Sequence, residues 1–126
     1  MNKQVIFHEG GSVTWPRAVK AGDWIFIVSA GIDKQGTVVS PDFEEQLDYA
    51  YSEIQKALHD LDASMTNVVE MTIFLTNIDR DLPKVSAIRR KYISDHEVPA
   101  VAAIGVSALA STDPPLLVEI RSTAIA

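Results

Sequence analysis

Apolar residues concentrate between Val98 and Leu109 and again at Leu116-Leu117-Val118, with Asp113-Pro114-Pro115 between them. Two β-branched-rich runs split by a breaker cluster predict two neighbouring strands. Pro99 fits a strand start, a position where the missing N–H does no harm. Glu119 is the only charge in the second run before Arg121. A carboxylate in a mostly buried strand is costly unless something pairs with it or uses it, so Glu119 is the first functional candidate.

Earlier in the chain, Val5-Ile6-Phe7 reads as a brief strand ended by Gly10-Gly11. The stretch Val13 to Val19 is less regular, and Pro16 argues for an edge or a loop. After the Ala21-Gly22-Asp23 turn, Trp24-Ile25-Phe26-Ile27-Val28 is apolar enough to predict a central strand covered on both faces. Ser29-Ala30-Gly31 ends it with small residues that let another backbone or a ligand come close. Thr37-Val38-Val39 predicts a short strand after the Gln35-Gly36 turn.

Ser40-Pro41-Asp42 has the character of a helix start, with serine as N-cap and proline in the first turn. Phe43, Leu47, Tyr51, Ile54, Leu58 and Leu61 then recur in steps of three or four, one stripe over about five turns. Asn67 to Leu75 predicts a third main strand with Val69, Met71, Ile73 and Leu75 on one face. Asp79-Arg80-Asp81 is expected to cap a second helix with the stripe Leu82, Val85, Ile88 and Tyr92, ending near Asp95-His96-Glu97 ahead of Pro99. Its outer face carries Lys84, Arg89, Arg90 and Lys91, read as a solvated helix face. The order of elements predicts an α+β layer with two helices packed on one face of a single sheet. The other face, rich in valine and carrying Trp24 and Phe26, is expected to be buried against another subunit.

At 126 residues and 47% hydrophobic content the chain fits a single domain spanning 1–126. The net charge of −6 disfavours a broad nucleic-acid footprint. The absence of cysteine excludes disulfides, thiolate catalysis and cysteine-ligated zinc. No apolar run reaches the roughly 18 residues of a membrane span, and no signal-type apolar stretch follows Met1-Asn2-Lys3-Gln4, so a cytoplasmic protein without a membrane partner is expected. His8, His59 and His96 lack metal-ligand spacing, and no metal site is expected. Nucleophile-elbow and phosphate-loop motifs are absent, which leaves nucleophilic and nucleotide chemistry unsupported and no cofactor implied.

Three features remain: the Ser29-Ala30-Gly31 turn, Trp15 with Arg17, and Glu119. Trp15 suits packing and ligand stacking alike. Arg17 reads as a surface arginine or as a binding charge, and Arg121 stands on the same strand face as Glu119, where it can compensate the carboxylate.

The order of several segments resembles the reactive intermediate deaminase family (RidA/YjgF), and the similarity covers nearly the whole chain. The matching parts are Ala18 to Phe26 leading to Ser29-Ala30-Gly31, Phe43-Glu44-Glu45-Gln46, Asn67 to Leu75, Val98-Pro99-Ala100 and Val118-Glu119-Ile120. The resemblance implies a chorismate-mutase-like fold and a homotrimer with ligand clefts between subunits. It further implies hydrolysis of amino-acid enamines or imines to 2-oxo acids and ammonia, with a glutamate positioning water and an arginine holding the substrate carboxylate. Carried over, the glutamate is Glu119, the family's tyrosine falls on Trp15 and its small-residue turn on Ser29 to Gly31. The arginine falls on Val101, the asparagine of the second helix on Ser86, and the glutamine after the glycine on Ile32. Losing a charge-assisted hydrogen bond of about 1.5–3 kcal/mol should weaken small imino-acid binding at least about tenfold. The expected enzyme is therefore an enamine/imine deaminase-type hydrolase with altered specificity. Its cleft, lined by Trp15, Ile32 and Val101, would favour a bulkier, less carboxylate-dependent small-molecule substrate, with Arg17 as an alternative anchor. The alternatives are a non-catalytic trimer binding a metabolite or partner and, weakened by the acidic charge and the missing arginine, an endoribonuclease.

Overall fold

The computed structural model describes residues 5–7 and 17–126. The sequence candidates Trp15 and His8 lie outside the described residues. The strands are β1 (Val5–Phe7), β2 (Ala18–Ala21), β3 (Trp24–Ala30), β4 (Val68–Leu75), β5 (Ala100–Gly105) and β6 (Val118–Ile125). They form one mixed sheet in the order β1-β2-β3-β6-β4-β5, antiparallel except for the β4–β5 pair. Helices α1 (Phe43–Asp60), α2 (Ile78–Asp81) and α3 (Val85–Arg89) cover one sheet face. No described helix is long and apolar enough to cross a membrane.

The α1 stripe is the one its spacing predicts: Phe43, Leu47, Tyr51, Ile54, Leu58 and Leu61 are all buried, joined by Ala50 and Ala57. They meet Ile25 and Ile27 of β3, Val118 and Ile120 of β6, and Met71, Ile73 and Leu75 of β4 in one core. Each large side chain fully removed from water there contributes roughly 1.5–3 kcal/mol, which orders the helix against the sheet.

Several local expectations are corrected. The two apolar runs after Val98 are not neighbours, because β4 lies between β5 and β6. Pairing β5 in parallel beside β4 requires the crossover that the 75–100 segment supplies. β3 is covered on one face only: its residues alternate, with Ile25 and Ile27 buried and Trp24, Phe26 and Val28 exposed. Helix α1 starts two residues later than the serine cap implies, since Asp42 is the N-cap and accepts from the Glu45 N–H, while Ser40 Oγ accepts from the Asp42 N–H.

The second helix is capped by Asn77 and is broken into α2, a 3-10 turn at Leu82–Lys84 and α3. Pro83 is the physical cause, because proline removes a helical donor and crowds the preceding turn. Leu82 is consequently exposed, whereas Val85 is buried and Ile88 and Tyr92 pack against the core. In β4 a bulge between Val68 and Glu70 turns Val68 inward and leaves Val69 exposed, reversing the expected alternation at that end. Thr37-Val38-Val39 forms no strand, only a bridge between Val38 and Ile32. The basic face is tied down by carboxylates: Lys84 to Asp81 and Glu44, Arg89 and Arg90 to Asp95, and Lys91 to Asp48.

Candidate active site

Residues opposite one another in a ladder share a sheet face, so the registers map the side away from the helices row by row. One row is Ala30, Glu119, Phe74 and Ile104; the next is Val28, Arg121, Thr72 and Ala102; a third is Phe26, Thr123, Glu70 and Ala100. A polar stripe on β6 and β4 thus crosses an uncovered apolar face. Trp24 and Phe26 stack beside it with ring centroids 6.5 Å apart.

Glu119 sits half-buried in this stripe. Burial raises its pKa, and the Arg121 charge two residues along the strand partly offsets that rise. A carboxylate held in this way is a better proton acceptor than an exposed one and remains close to a cation. The strand-end residue Ala30 lies directly across from it.

The remaining sequence candidates divide. Ser29, buried, faces the helix layer opposite Ile120, and its Oγ has no hydrogen-bond partner, so its hydroxyl is on the other side of the sheet from Glu119. Gly31 is needed for packing: a Cβ there would meet Gln46 Cβ at 2.5 Å and Gln46 Cα at 2.9 Å. Ile32 is half-buried in the bridge to Val38.

Arg17 is not the surface arginine that its place in the sequence suggests. It is 7% exposed, its guanidinium lies 3.4 Å from Glu53 of α1, and its Nε has no partner. The pairing follows from its position at the entry to β2, where its backbone carbonyl accepts from the Val28 N–H. Val101 is exposed and opposite Met71, on the helix-side face of β5. Within one chain it is therefore on the face opposite Glu119 and separated from β6 by β4.

Gln46 is the residue that sequence reasoning missed. It is fully buried in the α1 stripe; Nε2 donates to the carbonyls of Ser40 (2.8 Å) and Pro115 (3.1 Å), and Oε1 accepts from the Leu117 N–H (2.9 Å). It ties the loop before α1 to the segment leading into Glu119. The available signal was a polar side chain at a stripe position, three residues after Phe43.

A hollow of about 430 Å3 opens on the uncovered face, bounded by Phe26, Val28, Thr72, Arg121 and Thr123, with Arg17 at its rim. The Thr123 hydroxyl donates to Glu70 Oε1 at 3.0 Å along its floor. Among the described residues no group of three histidine and carboxylate side chains could hold a metal ion.

The family model described as Endoribonuclease L-PSP matches residues 11–126. The chain belongs to the YjgF/RidA family. This YjgF/RidA chain is 31% identical over 114 residues to a RutC family protein of Pyrococcus abyssi, covering 86% of this chain and 88% of that one. Rv2704 of Mycobacterium tuberculosis, described as a member of the YjgF/YER057c/UK114 family, superposes with a TM-score of 0.81 at 26% identity, covering 98% of this chain and all of that one. YyfA of Yersinia pestis, described as a Rid family protein of unknown function, gives 0.84 at 26% identity over 98% and 99% of the two chains. The single mixed sheet with helices on one side is the fold of this family.

Proposed function

We propose that this YjgF/RidA protein hydrolyses the carbon–nitrogen bond of an enamine or imine, with Glu119 as the proton-transfer group, in a cleft completed by a second copy of the chain. The observation that carries the reading is the half-buried carboxylate of Glu119, raised in pKa, in the middle of an uncovered apolar face. An enamine first tautomerises to its imine. Glu119 then takes a proton from water as the water oxygen bonds to the imine carbon, and the nitrogen takes a proton from solvent, which gives a neutral carbinolamine. Glu119 returns its proton to that nitrogen, the carbon–nitrogen bond breaks as the carbonyl forms, the hydroxyl proton passes to solvent and ammonia leaves. No electrons are exchanged with another reagent, so the residues present suffice.

The uncovered face and the bare edge support such a cleft. Trp24, Phe26, Val28, Val101 and Ile104 are exposed, and β5 is an uncharged edge strand exposed along its whole length. Such a face and edge call for a partner, and a homotrimer fits the family. In it Val101 would serve a neighbour's site rather than that of its own chain. With valine where the resemblance implies an arginine, substrate choice departs from the family pattern. We take the cytoplasm as the compartment.

The competing reading is a non-catalytic metabolite-binding trimer, favoured by Val101 alone. The endoribonuclease named in the family description is disfavoured, because the −6 charge repels phosphate and the basic cluster is engaged by carboxylates. Ammonia release is measured across a panel of enamines generated in solution. Turnover above background supports the hydrolase; ligand-dependent melting without turnover across the panel supports the binder.

A further inference from the structure

We propose that Gln46 is a positioning residue for Glu119, holding in place the two chain segments that converge on the end of the sheet where that carboxylate stands. The inference rests on the hydrolase reading for the word positioning, since only there does the carboxylate have a proton to move; the contacts stand apart from it.

The sheet runs out at Glu119. Its cross-strand partner Ala30 is the last residue of β3, and the β4–β6 ladder ends one row further on, at Leu75 and Val118. Strand ends open more easily than strand centres, whereas a general base must hold a water at about 2.6–3.2 Å. The residues just beyond the ladder therefore decide how firmly Glu119 is held. On the β6 side stands Leu117, whose N–H donates to Gln46 Oε1 (2.9 Å) and whose carbonyl accepts from the Thr76 N–H (3.2 Å). On the β3 side Gly31 follows Ala30, and a Cβ there would stand 2.5 Å from Gln46 Cβ.

Gln46 thus touches both flanks, and its amide also closes the loop beside them. Nε2 donates to the carbonyls of Ser40 (2.8 Å) and Pro115 (3.1 Å), and next to Ser40 the Val39 N–H donates to the Gly31 carbonyl (2.9 Å). A carboxamide supplies the one acceptor and two donors that these three contacts require; an ionised carboxylate has no donor, and methionine has no donor and only a weak acceptor. Gln46 lies in the helix layer, on the other side of the sheet from the Glu119 carboxylate, so it acts through the backbone at Leu117 and Gly31. A misplacement on the order of 1 Å at the reacting group can cost about a hundredfold in rate.

The test follows the Glu119 carboxyl through a pH titration by 13C NMR, its signal identified by its loss in Glu119→Gln, in wild type, Gln46→Ala, Gln46→Met and Leu58→Ala. Gln46→Met fills the volume without the amide, and Leu58→Ala cuts a cavity under the far end of α1, about 18 Å along the helix. With its flanks released, Glu119 meets more water, so its pKa should fall towards the ordinary carboxylate range in both Gln46 variants and stay raised in Leu58→Ala. In parallel, kcat for an enamine should fall at least about tenfold in both Gln46 variants with KM little changed. A Glu119 titration unaltered in the Gln46 variants, or lowered as much in Leu58→Ala, overturns the proposal. A further arm needs no variant to fold: the Leu117 N–H lies outside the β6 ladder and is held by Gln46, so in wild type it should be protected from hydrogen exchange like the β6 amides, and free exchange there overturns the proposal too. A lowered titration in the Gln46 variants without turnover in wild type upholds the positioning and removes the hydrolase; turnover with the titration unaltered in Gln46→Met does the reverse.

Discussion

Replacing Gln46 by alanine removes three hydrogen bonds at once, and all three of its partners are backbone groups. The Leu117 N–H loses its acceptor and the carbonyls of Ser40 and Pro115 lose a donor, beneath a side chain with no solvent exposure. At a net 0.5–1.5 kcal/mol each, with a void added where the carboxamide was, the loss comes to roughly 2–4 kcal/mol. For a domain of this size that lowers the midpoint by roughly 3–5 °C per kcal/mol. Urea unfolding of wild type and Gln46→Ala at equal protein concentration measures it, since assembly makes stability depend on concentration. Gln46→Glu is the informative companion. An ionised carboxylate still accepts from Leu117 but repels the two carbonyls, so burial and repulsion raise its pKa and its stability should fall further as pH rises through that pKa. A loss below about 1 kcal/mol in Gln46→Ala would refute the assignment of Gln46 as the clamp that joins α1 to the segment entering β6.

Gly31→Ala should destabilise by about 1–3 kcal/mol or more, because the new Cβ meets the backbone and Cβ of Gln46 inside van der Waals distance; wild-type stability in urea would show that α1 yields freely there. Glu119→Gln should gain stability. Because burial raises the carboxyl pKa above its unfolded value, the folded state loses stability as pH rises through that window, so the gain should be present at neutral pH, vanish in acid, and be absent throughout if the carboxylate is not desolvated. Phe26→Lys and Ile104→Lys place charges on the uncovered face and edge; light scattering should show a trimer for wild type and smaller species for both, and a monomeric wild type at micromolar concentration would remove the intersubunit cleft.

The architecture was legible where burial repeats with a period. The α1 stripe and the inward Met71, Ile73 and Leu75 of β4 follow from spacing because the sheet and helix each bury one face, whereas the unbroken apolar run of β3 hid its alternation. Strand order was not legible: β5 and β6 are equally apolar, and only long-range pairing decides that β4 enters between them. Pro83 and the β4 bulge are local events that override an otherwise regular pattern. At the site, Glu119 stood out because a charge in an apolar run has few structural excuses. Arg17 misled because nothing nearby in sequence announces Glu53, which lies 36 positions on and is brought to it by α1 packing on the sheet. Gln46 was hidden because one amide in a helical stripe looks like a tolerated exception until its three backbone partners are seen.

The central claim is that Glu119 moves the proton in carbon–nitrogen hydrolysis. The most direct measurement is ammonia release from an enamine generated in solution, comparing wild type with Glu119→Gln at matched concentrations of assembled protein. Release above background is expected with wild type and background rates with Glu119→Gln, at unchanged oligomeric state. Equal rates for the two proteins would contradict it.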